Sequence, residues 1–208
     1  IKCSLVGSEM CIRDSPYTKE GKNKTKYYLD AKFLSKVNSD AVIINTSRGG
    51  IVDENYFHQQ DKCKLISDVF IDEPNISAKF CKKTFLATPH IAGYSIEAKH
   101  NGTLMILKNF CEIKNLDNDL MDLSKVMEIK NLQSLEDDYI SNGYPVSFFK
   151  NLIDVEQISI DFKESFLKKD IPFNNIRSNY ELRNDFLGIK RTFETNKLSL
   201  FSNLYKNI

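Results

Sequence analysis

Three histidines, an arginine in a glycine-flanked turn and a short acidic cluster are the residues here whose types and spacing could do chemistry. His90 follows Thr88-Pro89 at the end of a short apolar run. In open α/β sheets ligands sit beyond the carboxyl ends of strands, and an imidazole held there can accept or donate a proton near neutral pH. Position alone leaves a purely structural histidine equally open. His58, in Tyr56-Phe57-His58-Gln59-Gln60, and His100, on an expected amphipathic helix, read as surface residues. Arg48 stands in Asn45-Thr46-Ser47-Arg48-Gly49-Gly50, directly after the most apolar strand candidate. A guanidinium at a strand end suits two-pronged capture of a carboxylate or phosphate, and the glycines permit close backbone approach. The alternative is an ordinary strand-to-helix turn with a surface arginine. Asp68 and Glu73 lie in Asp68-Val69-Phe70-Ile71-Asp72-Glu73-Pro74. A carboxylate beside an imidazole favours its protonated form and fixes which nitrogen carries the proton, whereas an isolated acidic cluster is usually a solvated turn.

Two other chemistries lack their residues. No G-x-G-x-x-G occurs, and Gly49-Gly50 is the only close pair among the eight glycines, so the phosphate-cradling turn of a dinucleotide site is absent from this chain. Cys63 and Cys81 are far apart, with no neighbouring ligands to complete a metal set.

The elements that must position these residues follow from the pattern. Asp30 caps an expected short helix to Ser35. Ala41-Val42-Ile43-Ile44-Asn45 is an unalternating β-branched run, which suits a strand covered on both faces. Asp53 is placed to cap a helix running to Gln60. Leu65 to Phe70 and Thr84 to Ala87 are two further short apolar runs, and Ile96 to Asn115 has helical apolar spacing. This is the rhythm of half a doubly wound parallel sheet. Pro145 to Asp154, Asn174 to Arg183 and Leu198 to Tyr205 read as helices. The region after about Leu116 has no His and no Cys, so packing against a subunit or domain is its expected task.

Composition narrows the class. With 29 Lys+Arg against 28 Asp+Glu the net charge is +1, which argues against a general basic field gripping nucleic acid or a polybasic membrane anchor. No apolar run approaches the ~20 residues needed to span a bilayer. Five cysteines, an odd number without paired spacing, read as reduced thiols in a cytoplasmic protein. Residues 1–15, IKCSLVGSEMCIRDS, lack the basic start and apolar core of a signal peptide and look like a translated sequencing adapter. On that reading residues 1–15 are non-native and the chain is a C-terminal fragment.

Asn45-Thr46-Ser47-Arg48-Gly49, Asp68 to Pro74 and Thr88-Pro89-His90-Ile91-Ala92-Gly93, in this order, resemble the NAD-dependent D-2-hydroxyacid dehydrogenases. Three separate blocks are far more specific than one. The likeness narrows at His90-Ile91-Ala92-Gly93-Tyr94-Ser95, at Lys99 and Gly102-Thr103, and at Phe173 to Arg183, to a branch acting on a small phosphorylated hydroxy acid through a homodimer. The resemblance implies a Rossmann-type sheet, of which this chain holds the C-terminal half, plus a small α/β or mostly helical dimerisation domain. Expected divisions are 16–116 for the partial NAD-binding domain with its following helix, and 117–208 for the dimerisation domain. Implied catalytic residues are Arg48 on the substrate carboxylate, His90 taking the hydroxyl proton, and Glu73 orienting His90. Thr46, Ser47, Arg48, Asp68 and Gly93 would line NAD, and Tyr94, with Arg48, would meet the substrate. Another hydroxyacid dehydrogenase, such as one acting on 3-phosphoglycerate, or a non-catalytic dimerisation module, are the competing readings.

Overall fold

In the computed structural model of the protein the described residues are 17–59, 61–116, 150 and 153–184. Of the expected helix Pro145–Asp154 only Lys150, Ile153 and Asp154 are among them, the last two not helical; the expected helix Leu198–Tyr205 and the proposed adapter 1–15 lie outside them. The chain divides into two compact units. The first runs to Ala92 and takes in Val155–Tyr180; the second comprises Gly93–Asp154 and the residues from Glu181 onward.

In the first unit three strands, β1 (Val42–Asn45), β2 (Lys64–Ser67) and β3 (Leu86–Ala87), form a parallel sheet in that order. Ile43 pairs with Leu65, and Ser67 with Ala87. Parallel strands need crossovers, and these are short helices: α1 (Ala31–Leu34) precedes β1, α2 (Glu54–Phe57) joins β1 to β2, and α3 (Ala78–Lys83) joins β2 to β3. Asp30, Asp53 and Ser77 cap them, each side chain accepting from the amide three residues on. Asp30 and Asp53 are the caps read from the sequence. The β1 expectation needs correcting on one point. Val42 and Ile44 are 52% and 63% exposed, so only one face of this strand is covered by described residues.

The core is built around five phenylalanines. Phe70 meets Phe80 and Phe173 edge-on, both with centroids 6.0 Å apart, and tilts against Phe162 at the same spacing. Phe57 meets Phe80 edge-on. Phe162 and Phe173 belong to α5 (Val155–Leu167) and α6 (Phe173–Ser178). Ser159 on α5 accepts the amide of Ala87 at 2.9 Å, and Lys163 donates to the carbonyl of Thr84 behind α3. The expected division at residue 116 therefore differs from the structure. Val155–Tyr180 complete the hydrophobic core of the first unit, because the sheet's aromatic face is closed by their two phenylalanines.

In the second unit α4 spans Ile96–Lys114, capped by Ser95 and ended by Asn115 in the left-handed conformation. Ile96 donates to the Arg183 carbonyl, and Asn184 to the buried Glu97. The expected apolar stripe is present, but Ile106, Phe110 and Ile113 on it are exposed among the described residues. No helix among the described residues is long and apolar enough to cross a membrane.

Candidate active site

The loops following β1, β2 and β3 carry the three sequence blocks, since all three strands are parallel and point their carboxyl ends the same way. After β1, the Asn45 side chain braces the turn. Its Oδ1 accepts the Ser47 amide at 3.2 Å and its amide nitrogen donates to the Arg48 carbonyl at 3.2 Å. Arg48 is exposed, with its guanidinium donating to the Ser47 carbonyl at 2.7 Å; Thr46 is partly buried and Ser47 buried. The turn borders an apolar groove beside β1 lined by Leu29, Phe33, Val37 and Ile44.

After β2 the backbone passes hard against this turn. A β-carbon on Gly49 would collide with the Phe70 carbonyl and come within 2.8 Å of the Ile71 nitrogen, so only glycine fits beside Arg48. Phe70 sinks its ring into the core while its amide donates to Glu73 Oε1 at 2.8 Å. The other oxygen, Glu73 Oε2, lies 2.7 Å from His90 Nδ1. With both Glu73 oxygens accepting, the His90 Nδ1 carries the proton and Nε2 is left as the basic nitrogen. Both side chains are partly open to solvent, 33% for His90 and 21% for Glu73.

His90 is held in an unusual backbone state, with φ of 57°. A β-carbon there costs on the order of 1–2 kcal/mol, and such a residue persists only where its surroundings over-determine it. Here they do. Its amide bonds the Thr88 carbonyl at 3.0 Å, and the Arg177 Nε, from α6, donates to its own carbonyl at 3.2 Å. Asp68 fixes both sides of it, accepting from the Thr88 hydroxyl at 2.6 Å and from the amides of Ile91 and Ala92 at 2.7 and 2.9 Å. Burial raises the Asp68 carboxyl above its ordinary value, against the lowering effect of those hydrogen bonds.

Of the residues read from the sequence, Glu73 and His90 are in direct contact, and Asp68 pins the loop that carries His90. The turn that carries Arg48 packs through Gly49 against the Phe70 backbone, and the Arg48 guanidinium bonds the Ser47 carbonyl. Gly93 and Tyr94 belong to the second unit, where Gly93 is exposed and the Tyr94 ring lies under the Lys99 ammonium at 4.1 Å. His58 closes α2, its ring nitrogen 3.3 Å from the Glu54 carbonyl. Two further residues contribute that no sequence motif marks. Arg177 sits in the Phe173 to Arg183 block, read only as a dimerisation likeness. Glu54, the first residue of α2, is buried, 6% exposed, and its Oε1 accepts the Ile71 amide at 2.6 Å. Burial pushes the Glu54 carboxyl up to about 7, with Asp72, Glu73 and Asp53 adding to the rise and the Ile71 hydrogen bond opposing it.

Residues 17–92 match the family described as D-isomer specific 2-hydroxyacid dehydrogenase, NAD binding domain. The chain is 30% identical over 190 residues to an erythronate-4-phosphate dehydrogenase of Coxiella burnetii (strain RSA 331 / Henzerling II), a match covering 91% of this chain and 51% of that protein. It is 29% identical over 185 residues to the erythronate-4-phosphate dehydrogenase of Shewanella baltica (strain OS155 / ATCC BAA-1091), covering 86% and 48%. The chain thus spans about half the length of the curated relatives it matches. The fold class is the expected one, an α/β unit with a parallel sheet, and the family that residues 17–92 match is described as an NAD binding domain.

Proposed function

We propose that this chain supplies the proton-transfer and carboxylate-binding half of an erythronate-4-phosphate dehydrogenase. The reaction oxidises 4-phospho-D-erythronate to 3-hydroxy-2-oxo-4-phosphooxybutanoate, a cytoplasmic step of pyridoxal 5'-phosphate biosynthesis. The observation that carries the reading is the Glu73–His90 hydrogen bond of 2.7 Å, set beside the arginine turn at the carboxyl ends of a parallel sheet.

His90 Nε2 takes the proton of the substrate's 2-hydroxyl as the carbon–hydrogen bond breaks. Glu73 keeps the ring in the tautomer that presents Nε2 and stabilises the imidazolium that forms. Proton transfer of this kind contributes ~10²–10⁴-fold. Arg48 grips the carboxylate next to the reacting carbon and fixes its orientation. NAD, when bound, accepts the hydride. Thr46, Ser47, Arg48 and Asp68 are the residues assigned to its nicotinamide end, and Gly93 is also assigned to NAD. The neutral hydroxyls of Thr46 and Ser47 at the end of β1 fit an amide-bearing ring, whereas the chain has no glycine-rich turn for the diphosphate. Tyr94 is assigned to the substrate, and the protein is assigned a homodimeric assembly.

The test is NADH formation by a protein of the relatives' length that carries this chain, with 4-phosphoerythronate and 3-phosphoglycerate offered separately. Turnover of the first and not the second is expected, and little turnover by the 208-residue chain alone. Preference for 3-phosphoglycerate would reassign the substrate, and parent-like turnover by the chain alone would refute the division of labour.

A further inference from the structure

We propose that Glu54 is a positioning residue for the Glu73–His90 pair, acting through the Phe70–Glu73 turn. The proposal builds on the reading of that pair as the proton-transfer couple.

Two consecutive amides of the turn are each held by a carboxyl group. Phe70 donates to Glu73 at 2.8 Å, and Ile71 to Glu54 at 2.6 Å. Glu73 is thus tied to the turn, and the turn is tied to α2. The anchor at the α2 end is stiff, because Asp53 caps that helix and Glu54 is its first residue. The rest of the turn has little freedom. Gly49 blocks it on one side, the Phe70 ring is fixed among Phe80, Phe162 and Phe173, and Asp72 adopts a left-handed backbone with φ of 59°. Placing a buried carboxyl among Asp53, Asp72 and Glu73 works against folding. Its geometric return is the placement of Ile71, two residues before the one that orients His90.

The test is proton NMR of the His90 Nδ1–H in the isotope-labelled 208-residue chain, which reads the pair without requiring turnover. In Glu54→Gln the amide oxygen still accepts from Ile71, so the resonance and its slow exchange should persist. In Glu54→Ala the acceptor is lost, and in Glu54→Asp it falls one methylene short. Both should shift the resonance and speed its exchange by at least ~10-fold, the scale of one lost buried hydrogen bond. An unchanged resonance in the Ala and Asp variants would overturn the proposal. So would failure of both to fold, since Glu54 would then serve the fold rather than the pair. Activity of the longer protein and its His90→Ala variant tests the underlying reading separately.

Discussion

His90 spends backbone energy to stand where it does, and its neighbours Asp68, Thr88 and Arg177 are arranged to hold it there. Its role was half legible in the sequence. A histidine after Thr-Pro at a strand end is visible, but its partner Glu73 is seventeen residues away and the hydrogen bond joining them is not. The role proposed for Arg48 rests on the same logic and has the sharper chemical requirement. In the longer protein Arg48→Ala should lower kcat/KM by at least ~10²-fold. Arg48→Lys should recover only part of this, because an ammonium lacks the planar fork; near-normal kinetics in the alanine variant would remove Arg48 from the site. Glu54 was illegible, since nothing in Asp53-Glu54 distinguishes a buried carboxyl from a solvated one. Its carboxyl rises from an ordinary 4.5 to about 7 on folding. Between those values the folded chain binds more protons than the unfolded one, so stability falls as pH rises through the window and levels above about 7. At ~1.4 kcal/mol per unit the loss is on the order of 3 kcal/mol. Thermal melts across that window should show Glu54→Gln flattening the decline; parallel curves for both proteins would contradict the shift.

Among the elements, strands and caps were the legible part. A β-branched run marked β1, a short apolar run marked β2, and Asp30 and Asp53 marked helix starts, because these signals are local. The Phe70–Glu73 turn was not legible as an element, since its shape is imposed by contacts distant in sequence. Gly49 and Phe173 are the two that matter most. Gly49→Ala must push a β-carbon into the Phe70 backbone, with an expected cost on the order of 1–3 kcal/mol. Phe173→Ala opens a cavity beside Phe70 and Phe162, with an expected cost of ~3–5 kcal/mol. Urea unfolding of the two variants checks both values. A Phe173→Ala chain as stable as the wild type would show that α6 is not part of the core.

For the molecule as a whole, the α/β class and the parallel sheet were readable from the order of short apolar runs. The membership of Val155–Tyr180 was not, since the aromatic contacts binding α5 and α6 to the sheet leave no periodic mark on the chain. The proposed homodimer predicts that sedimentation equilibrium of the longer protein gives twice the protomer mass; a concentration-independent monomer would contradict it. The central claim is that His90, oriented by Glu73, takes the proton in an NAD-dependent oxidation of 4-phosphoerythronate. It is tested most directly by comparing kcat/KM for that substrate between the longer wild-type protein and its His90→Ala variant. A fall of at least ~10²-fold, with the variant still folded, is the predicted result. Near-normal kcat/KM in the folded variant would contradict the account.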